Sequence, residues 1–186
     1  MFSCIQISEP CGLHYTDCNA FGHHLLLLEA RSILPAYRYP FGVRLAIAQW
    51  GLGNYNLWKK YKEGKNFKTF LLSADWLESA LESNAKGYKV WMHNFDFEYR
   101  DTLKSPWYSG LAQGQGLSVL IRAYKETKNV KYKNAAKEVY LSLNTEIDNG
   151  GVCFLDADKN MWIEEYIVNP PTHILNGFIW GLWGIY

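Results

Sequence analysis

Three stretches of the chain concentrate side chains able to exchange protons or to grip a sugar. The first runs from Trp162 to Phe178. It packs Glu164, Glu165, Tyr166, Asn169, His173 and Asn176 around Pro170 and Pro171, directly ahead of an apolar run. Carboxylates beside a phenol are groups that can give and take protons at a reacting centre. The two prolines lack amide hydrogens and suit the start of a helix, with Thr172 as its N-cap. The plainer reading is a solvated loop with a capping threonine. The second stretch, Ser105 to Ser118, sets Gln113 and Gln115 in a glycine-rich helix start behind Trp107 and Tyr108. The amides are candidates for hydrogen bonds to sugar hydroxyls, and the two rings for stacking on the apolar faces of sugars. It is no phosphate loop, because the GK[ST] ending and the strand–loop–helix context are both missing. The third stretch, Trp91 to Tyr99, offers His93 with Asp96, and Asn94 beside them. A histidine among aromatics is also a common packing residue. Spacing alone picks out no Ser-His-Asp constellation, since such groups meet in space.

The elements that must position these groups follow from an internal repeat. Residues 61–68 read Tyr-Lys-Glu-Gly-Lys-Asn-Phe-Lys and residues 124–131 read Tyr-Lys-Glu-Thr-Lys-Asn-Val-Lys. At that offset of 63, six of eight positions are identical, Gly51 falls on Gly114, Gly53 on Gly116 and Leu57 on Leu120. Gly177 lies a further 63 residues on, which implies three copies of one unit with the last cut short. Each unit reads as two helices. The spacing of apolar residues predicts helices at 44–62 and 66–84, and again at 107–126 and 130–145. A lysine-rich last turn followed by Gly64 is the expected stop of the first. Short strands or hairpins are expected around 87–97 and 150–156. Glycine inside a helix costs roughly 1 kcal/mol against alanine. Gly51, Gly53, Gly114, Gly116, Gly177, Gly181 and Gly184 therefore predict close helix–helix approach, as on the inner ring of an α/α toroid.

Composition narrows the function. A length of 186 residues with 48% apolar side chains supports one domain with a sizeable core. A net charge of +1 argues against nucleic acid as a partner, since phosphate binding shows as a basic stripe. Aromatics make 16% of the chain, with eight tryptophans, which suits either helix packing or a saccharide cleft. Cys4, Cys11, Cys18 and Cys153 form no disulfide framework, and Cys11, His14 and Cys18 match no standard zinc spacing. No metal or cofactor is expected. The run Leu25–Leu28 is too short to span a bilayer, and no leader sequence is recognisable at Met1, so the sequence names no compartment.

Three blocks together carry a family resemblance: Tyr-Ser-Gly-Leu-Ala-Gln-Gly-Gln-Gly-Leu-Ser-Val-Leu-Ile-Arg-Ala-Tyr at 108–124, Glu-Glu-Tyr at 164–166, and Leu-Asn-Gly-Phe-Ile-Trp-Gly-Leu-Trp-Gly-Ile-Tyr at 175–186. They resemble the C-terminal domain of D-glucuronyl C5-epimerases. The resemblance covers about residues 40–186 and leaves 1–39 as a divergent N-terminal segment. It implies a mainly all-α fold, an incomplete α/α toroid of helical hairpins with short β-hairpin insertions. It also implies inversion of D-glucuronate to L-iduronate at C5, within a heparan- or heparosan-type polysaccharide, by proton abstraction and re-addition. Matched positions make Tyr166 a catalytic tyrosine and Glu165 its acidic neighbour. A phenol of pKa ~10 is a poor base without partners that stabilise phenolate. Glu165 as the base, with Tyr166 positioning substrate, stays open. Gln113, Gln115, Trp107, Tyr108, His93, Asn94 and Asn176 are the expected substrate contacts.

Family members continue past the 175–186 helix, and the missing stretch supplies further site residues. Here the sequence stops at Tyr186 within an apolar helix, so a domain cut short is expected. The uncovered apolar surface favours a homodimer through that helix. Two other readings compete. A uronate polysaccharide lyase would share the C5 proton abstraction but release an unsaturated product. A polysaccharide-binding or scaffold fragment would keep the fold without the chemistry.

Overall fold

The computed structural model describes residues 43–186. The segment 1–39 and the cysteines and histidine at 11, 14 and 18 lie outside the described residues. Five helices are described: α1 (Val43–Tyr61), α2 (Gly64–Ser79), α3 (Gly110–Thr127), α4 (Val130–Leu143) and α5 (Leu175–Ile185). Three two-stranded antiparallel pairs fill the connections: β1 (Glu82–Ser83) with β2 (Lys89–Val90), β3 (Phe97–Glu98) with β4 (Thr102–Leu103), and β5 (Cys153–Leu155) with β6 (Met161–Ile163). This is the mainly α fold of helical hairpins with short β insertions that the sequence implies.

The helix α3 is the hub. It packs against α1, α2, α4 and α5, and every residue from Ser109 to Leu120 is buried. Its start is fixed by Ser109, whose side chain accepts a hydrogen bond from the Ala112 amide and so satisfies one otherwise orphaned donor. Phe70, Ala74 and Leu77 of α2, Leu117, Leu120 and Ala123 of α3, and Tyr132, Val139 and Leu143 of α4 form the core. Burying each of the leucine, valine and phenylalanine side chains among them is worth about 2 kcal/mol.

The two hairpin turns are made alike. Lys62 and Lys128 end α1 and α3 in the left-handed conformation (φ 59° and 58°), and each amide donates to the carbonyl four residues back at 2.8 Å. Lys128 lies 66 positions after Lys62, so the structural period exceeds the sequence offset of 63 by three residues. Three residues are nearly one helical turn, so either alignment presents the same face. The stop is therefore Lys62, and Gly64 instead opens α2.

Glycines form the seam between α3 and α5. A Cβ on Gly114 would overlap the backbone of Gly181, and one on Gly184 would overlap the backbone of Gly114. Gly116 is held bare by the Trp91 ring, into which a Cβ would run. Gly53 departs from the expectation of close approach, because among the described residues it is exposed with nothing within 4 Å of a Cβ position. The N-terminus of α5 also departs from expectation. Its N-cap is Ile174, with no side-chain cap, while the Thr172 hydroxyl is buried without a hydrogen-bond partner among the described residues.

Candidate functional site

The β5–β6 hairpin delivers the acidic pair to the end of α3. Ile163 is the last residue of β6, and the next two side chains diverge. Glu164 turns inward and is fully buried, its amide donating to the Val152 carbonyl and its carbonyl accepting from the Gly110 amide, both at 2.9 Å. Its carboxylate accepts from the His173 amide at 3.2 Å and pairs with His173 Nδ1 at 2.5 Å. A buried carboxylate is tolerated when it is paired and hydrogen-bonded in this way. Glu165 is only partly buried and lies against Gly177 on the first turn of α5, where a Cβ would come within 2.5 Å of the Glu165 Cβ.

Tyr166 follows, held in an aromatic shelf. Its ring centroid is 4.6 Å from Tyr99, 5.4 Å from Phe97 and 5.9 Å from Trp107. Trp107 is itself fixed: its indole donates to the Phe95 carbonyl at 2.9 Å, and its backbone exchanges hydrogen bonds with His93 at 2.6 and 3.1 Å. The tip of the loop is tied down where Arg100 Nη2 donates to the Pro170 carbonyl at 2.5 Å.

Electrostatics set the resting protonation of the pair. Burial pushes the Glu165 carboxyl up, and interaction with Tyr166 opposes that shift. Burial, then the neighbouring Glu165 charge, raises the Tyr166 phenol well above its ordinary range. Tyr166 therefore rests protonated at neutral pH. The Glu165 Oε2 atom is buried with no hydrogen-bond partner among the described residues, so one carboxylate oxygen is available to accept a proton.

The expected contacts divide. Trp107 and His93 join the Tyr166 shelf, with the His93 ring tilted against Trp107 at a centroid distance of 4.3 Å. Burial, with Arg44 contributing, lowers the His93 pKa to about 4, so it is neutral at physiological pH. Asp96 does not pair with it, since its carboxylate is taken by Lys104 at 2.8 Å and the Ser105 amide at 2.9 Å. Tyr108 spends its hydroxyl on the Gly150 carbonyl at 3.0 Å. Asn94 and Asn176 are exposed, the latter next to Gly177. Gln113 and Gln115 are buried inside the hub helix rather than lining an open groove. Gln113 Oε1 accepts from the Trp91 amide at 3.3 Å, while its Nε2 and both amide atoms of Gln115 lack hydrogen-bond partners among the described residues. Sequence reasoning passed over Phe97 and Tyr99, and it named Glu164 without assigning it a place. The alternation Phe95, Phe97, Tyr99 is the period-two signal for one face of a strand. Nothing in Glu-Glu-Tyr tells which carboxylate turns inward.

No group of three or more His, Cys, Asp or Glu side chains among the described residues could hold a metal ion. No helix among them is long and apolar enough to cross a membrane.

Comparison with known proteins places the site in context. A family model described as D-glucuronyl C5-epimerase C-terminus matches residues 84–186, which include every residue of the shelf. A D-glucuronyl C5-epimerase of Caenorhabditis elegans is 38% identical over 120 residues, 63% of this chain and 19% of that protein. An uncharacterized protein of Methanocaldococcus jannaschii is 30% identical over 122 residues, 63% of this chain and 39% of that protein. The chain thus spans about a fifth and about two fifths of these relatives. Among solved structures, a family 76 glycoside hydrolase from a bovine Bacteroides thetaiotaomicron strain aligns with a TM-score of 0.50 at 14% identity, over 77% of this chain and 30% of that one. That likeness concerns the fold of helical hairpins alone.

Proposed function

The chain belongs to the D-glucuronyl C5-epimerase C-terminal family, and from that premise we propose that Glu165 and Tyr166 form one half of a proton-transfer site for uronate C5 epimerisation. The observation that carries this reading is the pair itself: a protonated phenol in an aromatic shelf beside a part-buried carboxylate with an unengaged oxygen. The C5 hydrogen of a glucuronate residue lies α to its carboxylate, so its loss gives an enediolate-like species. Tyr166 takes that proton while its own phenol proton passes to Glu165, which leaves the phenol neutral and the carboxyl protonated. A group outside this pair returns a proton to the opposite ring face, and L-iduronate results.

The polymer substrate is a glucuronate chain of the heparan or heparosan type. Trp107, Phe97 and Tyr99 offer ring faces to the apolar faces of its sugars. Asn94 and Asn176, both exposed, are the candidates for hydroxyl contacts, and His93 supports Trp107. Gln113 and Tyr108 are engaged within the fold, with the Trp91 amide and the Gly150 carbonyl.

The test is C5 deuterium incorporation into a glucuronate-containing polysaccharide in D2O, followed by NMR. Exchange by the wild-type chain, lost in Tyr166→Phe with polymer binding retained, is the expected result. An ultraviolet-absorbing unsaturated uronate would mean a lyase. Binding with neither product would mean a saccharide-binding module and would overturn the catalytic assignment.

A further inference from the structure

Glu164 and His173 are the two ends of a loop whose interior carries Glu165 and Tyr166, and the proposed chemistry uses neither end. The loop is closed by a two-point clasp, the Glu164 carboxylate accepting from the amide of His173 and pairing with its ring Nδ1. The His173 ring is stacked at 4.6 Å on Trp162 of β6, with Phe154 of β5 5.2 Å away. Its backbone sits in the left-handed region at φ 49°, a conformation a non-glycine residue adopts at some cost. The Glu164 backbone is at the same time bonded to Val152 and to Gly110, the first residue of α3.

The clasp is coupled mechanically to the reactive pair. His173 directly precedes the N-cap of α5, and Gly177 on the first turn of α5 is the surface against which Glu165 lies. Glu164 thus fixes the end of β6, and His173 fixes the start of α5. The spacing between these two points sets the slot that holds Glu165 and, one residue on, aims Tyr166 into the shelf.

We propose that the Glu164–His173 clasp is the positioning device of the Glu165–Tyr166 pair, with His173 a positioning residue rather than a catalytic one; this rests on the epimerase reading of that pair. With its Nδ1 held 2.5 Å from the Glu164 carboxylate and its face stacked on Trp162, the ring acts as a strut between the two ends of the loop.

Three variants test it. His173→Gly removes the ring and keeps the φ without strain. His173→Asn tolerates the same φ and can return a donor near the Nδ1 position. Glu164→Gln keeps the shape and removes the charge. Each is made in the full chain carrying 3-fluorotyrosine, and the Tyr166 resonance is identified by its loss in Tyr166→Phe.

A misplacement near 1 Å costs about 100-fold in rate. His173→Gly is therefore expected to lower kcat for C5 deuterium exchange by about 100-fold, with KM changed less than about threefold. His173→Asn should recover to within about tenfold of wild type, and Glu164→Gln should fall between them. The fluorine signal of Tyr166 should be single in the wild type and shifted or split in His173→Gly. Wild-type kcat in His173→Gly overturns the proposal, as does a loss expressed equally in KM, or no recovery in His173→Asn while it folds. If the wild-type chain exchanges no deuterium, the epimerase reading fails. The fluorine spectrum then decides this inference alone: an unmoved Tyr166 signal in His173→Gly overturns it, and a shifted one sustains it.

Discussion

The same substitution, glycine to alanine, should have opposite signs at two helix positions of this chain. Gly53 lies exposed on α1 with nothing among the described residues within 4 Å of a Cβ, so alanine adds only helix propensity there. Gly53→Ala should stabilise by about 1 kcal/mol. Gly114 on α3 gains the same propensity, but its Cβ would come to 2.5 Å from the Gly181 carbonyl oxygen and 2.8 Å from its carbonyl carbon. The obstruction is backbone and cannot rotate away, so α5 must be pushed off α3. Overpacking of this sort costs about 3 kcal/mol at the upper end of its usual range. Subtracting the propensity gain leaves Gly114→Ala about 2 kcal/mol less stable than wild type. For a chain of this size each kcal/mol moves Tm by about 2–4 °C. Gly53→Ala should therefore melt about 2–4 °C higher and Gly114→Ala about 4–8 °C lower. Urea titrations with equal m-values for all three proteins would assign the differences to stability. Equal midpoints for the two variants, or a higher one for Gly114→Ala, would refute the packing account of the α3–α5 seam.

Two pH predictions follow from the site. Burial raises the Glu165 carboxyl, so the folded state holds a proton more tightly than the unfolded chain. Its penalty is absent below the ordinary carboxylate pKa and fully present above the raised one. Glu165→Gln should thus be more stable than wild type at pH 7, with the advantage vanishing on acidification in paired urea titrations. The reverse holds for His93, whose pKa of about 4 in the fold lies below its free value. Stability should fall as pH drops from about 6.5 to 4, by about 3 kcal/mol, and His93→Gln should flatten that slope by about one proton.

How far the sequence disclosed this molecule can be judged element by element. The helices were legible because apolar residues recur at helical spacing, and their ends fell within a few residues of expectation. The turn residue was not. Lysine is a poor candidate for the left-handed conformation, and only the recurrence of Lys62 and Lys128 in the fold reveals it. Gly114 and Gly116 announced close packing, but the same packing hides Gln113 and Gln115, which read as groove residues from the chain alone. Thr172 looked like a cap because it follows two prolines, yet the loop runs on to His173 and Ile174 before α5 begins. The clasp of His173 on Glu164 joins residues nine apart through a conformation no local pattern encodes.

Trp91 gives the molecule a property that belongs to motion rather than to shape. It is fully buried; its indole donates to the Leu77 carbonyl of α2, its amide donates to Gln113 of α3, and its ring fills the space beside Gly116. One residue thereby fastens an outer helix, the hub helix and the segment leading to the shelf. Such a rivet merges what would otherwise be separate units of local opening. The amides of α2, of α3 and of residues 91–93 should exchange with solvent at a common free energy, and the shelf that Trp107 builds on His93 inherits the lifetime of the whole core.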